Sequence, residues 1–190
     1  MLSKVFRPLW AVVAGLLGGS LIACGDEALP PPPPGLFSVT LGSASDPVRG
    51  TGGFAAIDDL AELPLRPGSQ GGLHVYINLR MSEAAVEAIG ERPLIYREAR
   101  RISDGRLVSR LEHRTQLVSS STTGAFDTER SISLFLCPTP VGIDVANEPL
   151  ELTVDVKTDY GEEPSAQGKV RFVPYCLEEG REFCLDLCIW

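Results

Sequence analysis

Residues 91–114 hold seven arginines, Arg92, Arg97, Arg100, Arg101, Arg106, Arg110 and Arg114, against Glu91, Glu98, Asp104 and Glu112, a local net charge of +3. A guanidinium is planar and permanently charged, and its fork of N–H donors matches the oxygens of a carboxylate, sulfate or phosphate. Asp104-Gly105 is a two-residue hairpin signal. Such a turn pairs Ser103 with Arg106, and the register that follows sets Arg101 opposite Val108, Ala99 opposite Arg110, Arg97 opposite Glu112 and Ile95 opposite Arg114. Arg97, Arg101, Arg110 and Arg114 then share one face, a candidate surface for an anionic ligand. Tyr96, Ile102, Leu107 and Leu111 take the other face, toward the core, with Glu98 and Arg100 intruding. The plainer account of the arginines is a solubilising outer face that pairs with the acidic remainder of the domain.

Other residues offer less chemistry. His74 and His113 are the only histidines, and no Gly-x-Ser-x-Gly or His-Glu-x-x-His occurs. GSQGG at 68–72 places its serine differently, and Glu112-His113 has no second histidine four residues on. The expectation is a protein without catalysis; the alternative is a hydrolase using His74 or His113 as its base. Asp155, Asp159, Glu162 and Glu163 surround the turn DYGEE and are oxygen donors of the kind Ca²⁺ takes, but a solvated hairpin tip explains them more simply. No cofactor or metal is expected. Cys137, Cys176, Cys184 and Cys188 suit two disulfides in any of three pairings. They lack the paired short spacings of a four-thiolate zinc ribbon.

The elements that must position these residues are strands. In GGLHVYINLRM, residues 71–81, Leu73, Val75, Ile77, Leu79 and Met81 alternate with His74, Tyr76, Asn78 and Arg80, the period of a half-buried strand. SISLFL at 131–136, LELTVDVK at 150–157 and KVRFV at 169–173 repeat the alternation, and LFSVTL at 36–41 and GFAAI at 53–57 add two strands. Pro93 and Asp104-Gly105 favour a strand over 94–102 that enters the hairpin. One short helix is predicted at EAAVEAI, capped by Ser82 and stopped by Gly90. Seven to eight strands with almost no helix predict an all-β fold, a single antiparallel β-sandwich over 36–175 followed by a disulfide-bonded tail at 176–190. In strand count and order it resembles immunoglobulin-like domains. It lacks their tryptophan and disulfide spacing.

The N-terminus carries an address. Lys4 and Arg7 precede LWAVVAGLLGGSLIA, residues 9–23, an uncharged run with the pattern of a signal peptide and too short to span a hydrocarbon core that takes roughly 20 residues. Leu21-Ile22-Ala23-Cys24, placed at its end, resembles the lipobox of bacterial lipoproteins. That resemblance implies cleavage before Cys24, lipidation of its thiol and anchoring in the cell envelope, and the absence of Asp directly after the cysteine points to the outer membrane. Removing Cys24 from the five cysteines leaves an even set for disulfides. Residues 25–35, with Pro30 to Pro34, form an extended spacer that lifts a domain up to roughly 35 Å from the lipid. Two of 17 basic residues and none of 25 acidic ones lie in the signal, so the mature chain has 15 against 25, or −10. Nucleic acid is thereby disfavoured as a partner. The partners expected are the membrane through the lipid, and an anionic polysaccharide, lipid head group or acidic protein surface through the arginines.

Overall fold

The structure is a computed structural model that describes residues 37–68, 71–122, 124–140, 142–161 and 163–189. The signal, Cys24 and the proline spacer therefore lie outside the described residues, and so does Glu162. Eleven strands and two short helices occur among the described residues: β1 (Val39–Asp46), β2 (Thr51–Ala56), β3 (Ala61–Pro67), β4 (Leu73–Ser82), α1 (Glu83–Ile89), β5 (Leu94–Arg101), β6 (Leu107–Arg114), β7 (Leu117–Ser119), β8 (Ala125–Thr128), β9 (Ile132–Cys137), β10 (Leu150–Lys157), β11 (Ser165–Cys176) and α2 (Arg181–Cys188). The chain is all-β, as its alternating pattern predicts.

One ladder path runs β2-β1-β4-β3-β11-β10-β5-β6. The long strand β4 is its pivot. Its first half lies between β3 and β9, and its second half between β1 and β8. The path then folds back so that β11 lies over β1: a Cβ placed on Gly168 would stand 3.1 Å from Val39 Cγ1 and 3.3 Å from Leu41 Cγ, so the missing side chain is what lets the layers close. The two-layered arrangement expected of a sandwich is thus present in coarse form. One continuous path joins the layers, however, and β3 pairs with β11 in parallel, from Ala61 opposite Phe172 to Leu65 opposite Cys176. The expectation of purely antiparallel pairing is corrected there, and two separate antiparallel sheets of the immunoglobulin kind are not what the ladders form.

The core follows the period-two faces. Leu150, Leu152, Val154 and Val156 of β10 are buried, as are Leu73, Val75, Ile77, Leu79 and Met81 of β4 and Leu134 and Leu136 of β9. The other face of β4 departs from the half-buried expectation, since His74 and Asn78 are buried too. The helix α1 forms where its caps predict: the Ser82 hydroxyl accepts from the Ala85 N–H at 3.4 Å, and Gly90 ends it at φ 99°. At most one helix was expected, and α2 corrects that. It begins after Gly180 and turns Cys184 and Cys188, one helical turn apart, into the core. Disulfides join Cys137 to Cys188 and Cys176 to Cys184, selecting one of the three pairings and binding α2 to the ends of β9 and β11.

Candidate functional cleft

The β5–β6 hairpin does not adopt the register that a two-residue turn would impose. Arg101 N–H donates to the Arg106 carbonyl at 3.0 Å, closing a four-residue loop, and the ladder shifts at a bulge between Ala99 and Arg100. Arg97 therefore stands opposite Leu111, Ile95 opposite His113 and Glu98 opposite Arg110. Cross-strand neighbours share a face. Ile95, Arg97 and Ala99 turn inward with His113, and Leu111 shares that face but stays half exposed, while Tyr96, Glu98, Arg110 and Glu112 take the other face.

The predicted four-arginine face is therefore corrected. Three of its members are neutralised within the domain. Arg101 donates to both Asp104 oxygens, at 3.2 and 2.5 Å, and holds that carboxyl down at about 2. Arg110 donates to Glu98 at 2.5 and 3.0 Å, and Glu98 also accepts from Arg100 at 2.5 Å and from the Tyr96 hydroxyl at 3.2 Å. Arg114 donates to the Asp159 carboxylate at 2.5 Å and to its carbonyl at 2.9 Å. These pairs fit the plainer account of the arginines. Arg97 does not.

Arg97 is 6% exposed, and its Nε and Nη1 have no hydrogen-bond partner among the described residues. Removal from water draws its pKa down to about 10, so it remains a cation at neutral pH. His113 stands near it with both ring nitrogens buried and unpartnered. Burial first, and then the Arg97 charge, pull its imidazole down to about 4. At pH 7 the pair is one cation beside one neutral ring. A buried charge without a counter-ion costs several kcal/mol by general experience. Among the described residues no carboxylate pairs with it.

The two side chains line a cleft of about 760 Å³, a volume in the range of small-ligand sites. It opens between β6 and β9, which lie side by side with no ladder between them. Leu111, Ile132 and Phe135 form apolar walls, Ser131 and Ser133 add hydroxyls, and Arg114, Glu129 and Arg130 stand at the mouth. Leu111 and Phe135 are exposed, at 48% and 39%. The usual distribution is inverted here, with charge at the floor and hydrocarbon at the wall.

The remaining predicted residues do not join this cleft. His74 is buried beneath Tyr76, edge to face at 4.7 Å between ring centroids, and burial and then Arg66 lower its basicity. No serine or carboxylate is hydrogen-bonded to a ring nitrogen of His113 among the described residues. Asp159 is engaged by Arg114 and Asp155 by Gln167 at 2.8 Å, and the described residues contain no group of three or more potential metal ligands. Sequence reasoning named Arg97 but missed His113, Leu111 and Phe135 as its neighbours. The available signal was Ile95-x-Arg97-x-Ala99, in which two small or apolar residues at period two put the arginine on the buried face. No helix among the described residues is long and apolar enough to cross a membrane. No protein-family model matches the chain, and no curated protein matches it.

Proposed function

We propose that this chain is a lipid-anchored protein of the bacterial cell envelope, seated in the outer membrane through Cys24 and held off it by the proline spacer, that acts as a non-catalytic binding module for an anionic ligand. The ligand enters the cleft between β6 and β9. The single observation that carries this reading is the Arg97 guanidinium, buried, its Nε and Nη1 without a partner among the described residues, and lining a cleft wide enough for a small molecule. Charge-assisted bonds to a guanidinium in a low-dielectric site are roughly twice as strong as neutral ones, so an incoming anion gains most at this one position. The two disulfides support an oxidising, exported compartment, and the lipobox-like tetrapeptide supports the anchor.

The test is thermal unfolding of the full chain in acetate, phosphate, sulfate and galacturonate oligosaccharides at constant ionic strength, for the natural chain and for Arg97→Met. A ligand that binds only the folded state raises the midpoint. At least one anion is expected to do so in the natural chain and to lose the effect in the variant. Equal responses of the two proteins to every anion would sink the proposal.

A further inference from the structure

The cleft also indicates what kind of anion fits, an inference that rests on the reading of Arg97 as an anion site. One cation sits at the floor with no ion-pair partner among the described residues, and its neighbour His113 is a neutral ring that adds hydrogen bonding without a second charge. The mouth carries Glu129 and Arg130, whose charges oppose each other, and Arg114, whose guanidinium is already taken by Asp159. A phosphate monoester or a string of uronates would bring more negative charge than this site can neutralise. Its surplus would face hydrocarbon, where an uncompensated charge is costly.

The walls favour the opposite chemistry. Leu111 stands directly across the ladder from Arg97 and is half exposed, and Phe135, partly exposed on β9 with its ring over Gly72, also lines the opening. Ile132, almost fully buried, lies on the opposite face of β9 from Phe135, with Leu134 and Leu136. Large apolar side chains left open around one concave site are the ordinary means of burying a ligand's hydrocarbon, with a few polar groups fixing its orientation. We propose that the cleft binds a small apolar monocarboxylate, its two oxygens on the Arg97 guanidinium and its hydrocarbon body against the exposed Leu111 and Phe135. The carboxylate matches the planar fork in shape and in charge. The hydrocarbon removes from water the side chains that the fold leaves exposed.

The experiment is calorimetric titration of the full chain, in a non-ionic detergent, with hexanoate, acetate, hexanol, phosphate and trigalacturonate. Hexanol corrects for partition of the hydrocarbon into detergent. Hexanoate is expected to bind one per chain, at least tenfold tighter than acetate or phosphate. Arg97→Met should weaken it tenfold or more, and Arg97→Lys should weaken it less, because the charge stays while the fork is lost. The double variant Leu111→Ser, Phe135→Ser should bring hexanoate down to the affinity of acetate and leave acetate unchanged, an effect that damage to Arg97 alone would not produce. Tighter, Arg97-dependent binding of phosphate or trigalacturonate would overturn the monocarboxylate and leave the anion site standing. Binding of hexanol as tight as hexanoate would overturn it as well. Should no anion bind in an Arg97-dependent way, both readings fall together.

Discussion

His113 is held between hydrocarbon and a cation, and both press its imidazole toward the neutral form. The consequence for stability has a definite sign. The folded ring takes its proton at about 4 and the unfolded one near 6.5. Between those values the unfolded chain binds the proton and the folded chain does not, so stability rises with pH across this window, is complete above it and is lost as pH falls through it. His74 is shifted the same way by burial and Arg66, and adds to the slope. The carboxylates of Asp104, Glu98 and Asp127, the last paired with Arg80, are shifted downward, so they too lose stabilisation as pH falls through the ordinary carboxylate range toward their depressed values. Urea titrations of His113→Gln between pH 4 and 6.5 should show a shallower rise in unfolding free energy than the natural chain. An unaltered slope would mean that the ring is not held neutral. A related expectation separates the arginines: Arg101 and Arg110 changed together to Ser should leave anion binding in the cleft within about twofold, since each is spent on a carboxylate of its own domain and neither lines the cleft. A loss as large as that of Arg97→Met would restore the outer face as the binding surface.

At the scale of elements, alternation was legible and pairing was not. β10 matches its predicted bounds and faces, and α1 matches its caps, because each is decided by residues adjacent in sequence. The hairpin failed because a bulge between Ala99 and Arg100 has no local marker: neither position is a glycine, and one extra residue exchanges the two faces of every strand position beyond it. β3 escaped notice because Pro64 and Pro67 argue against a strand, yet it survives as a parallel neighbour of β11. The helix α2 was read only as a cysteine tail, although Cys184 and Cys188 at a spacing of four were a helical signal. Its bonds carry a quantitative expectation. Cys137–Cys188 closes a separation of 51 residues and Cys176–Cys184 one of 8. The chain-entropy model assigns these about 4 and about 2.5 kcal/mol. Unfolding midpoints of the two double alanine variants, at matched denaturant dependence, should therefore fall further for the longer loop. The reverse order would show that native packing of the sulfurs, and not loop length, sets their worth.

For the whole molecule, the first check is the intact mass of protein extracted from membranes. Residues 24–190 plus acyl and glyceryl groups, with four alkyl labels gained only after reduction, is the expected result. An unlipidated chain whose Cys24 labels before reduction would remove the anchor from the proposal. The placement of β11 carries a consequence for how such a chain is delivered. Among the described residues it is the last strand and the one hydrogen-bonded to both β3 and β10, two strands separated by most of the domain. Take it away and the ladders divide into two unfinished sheets, one built on β4 and one of β10, β5 and β6. A chain emerging N-terminus first from a ribosome or a membrane pore thus cannot close until residue 176 has come through, and Cys188 follows later still to meet Cys137. Until β11 and Cys188 have followed, such a chain stays threadable.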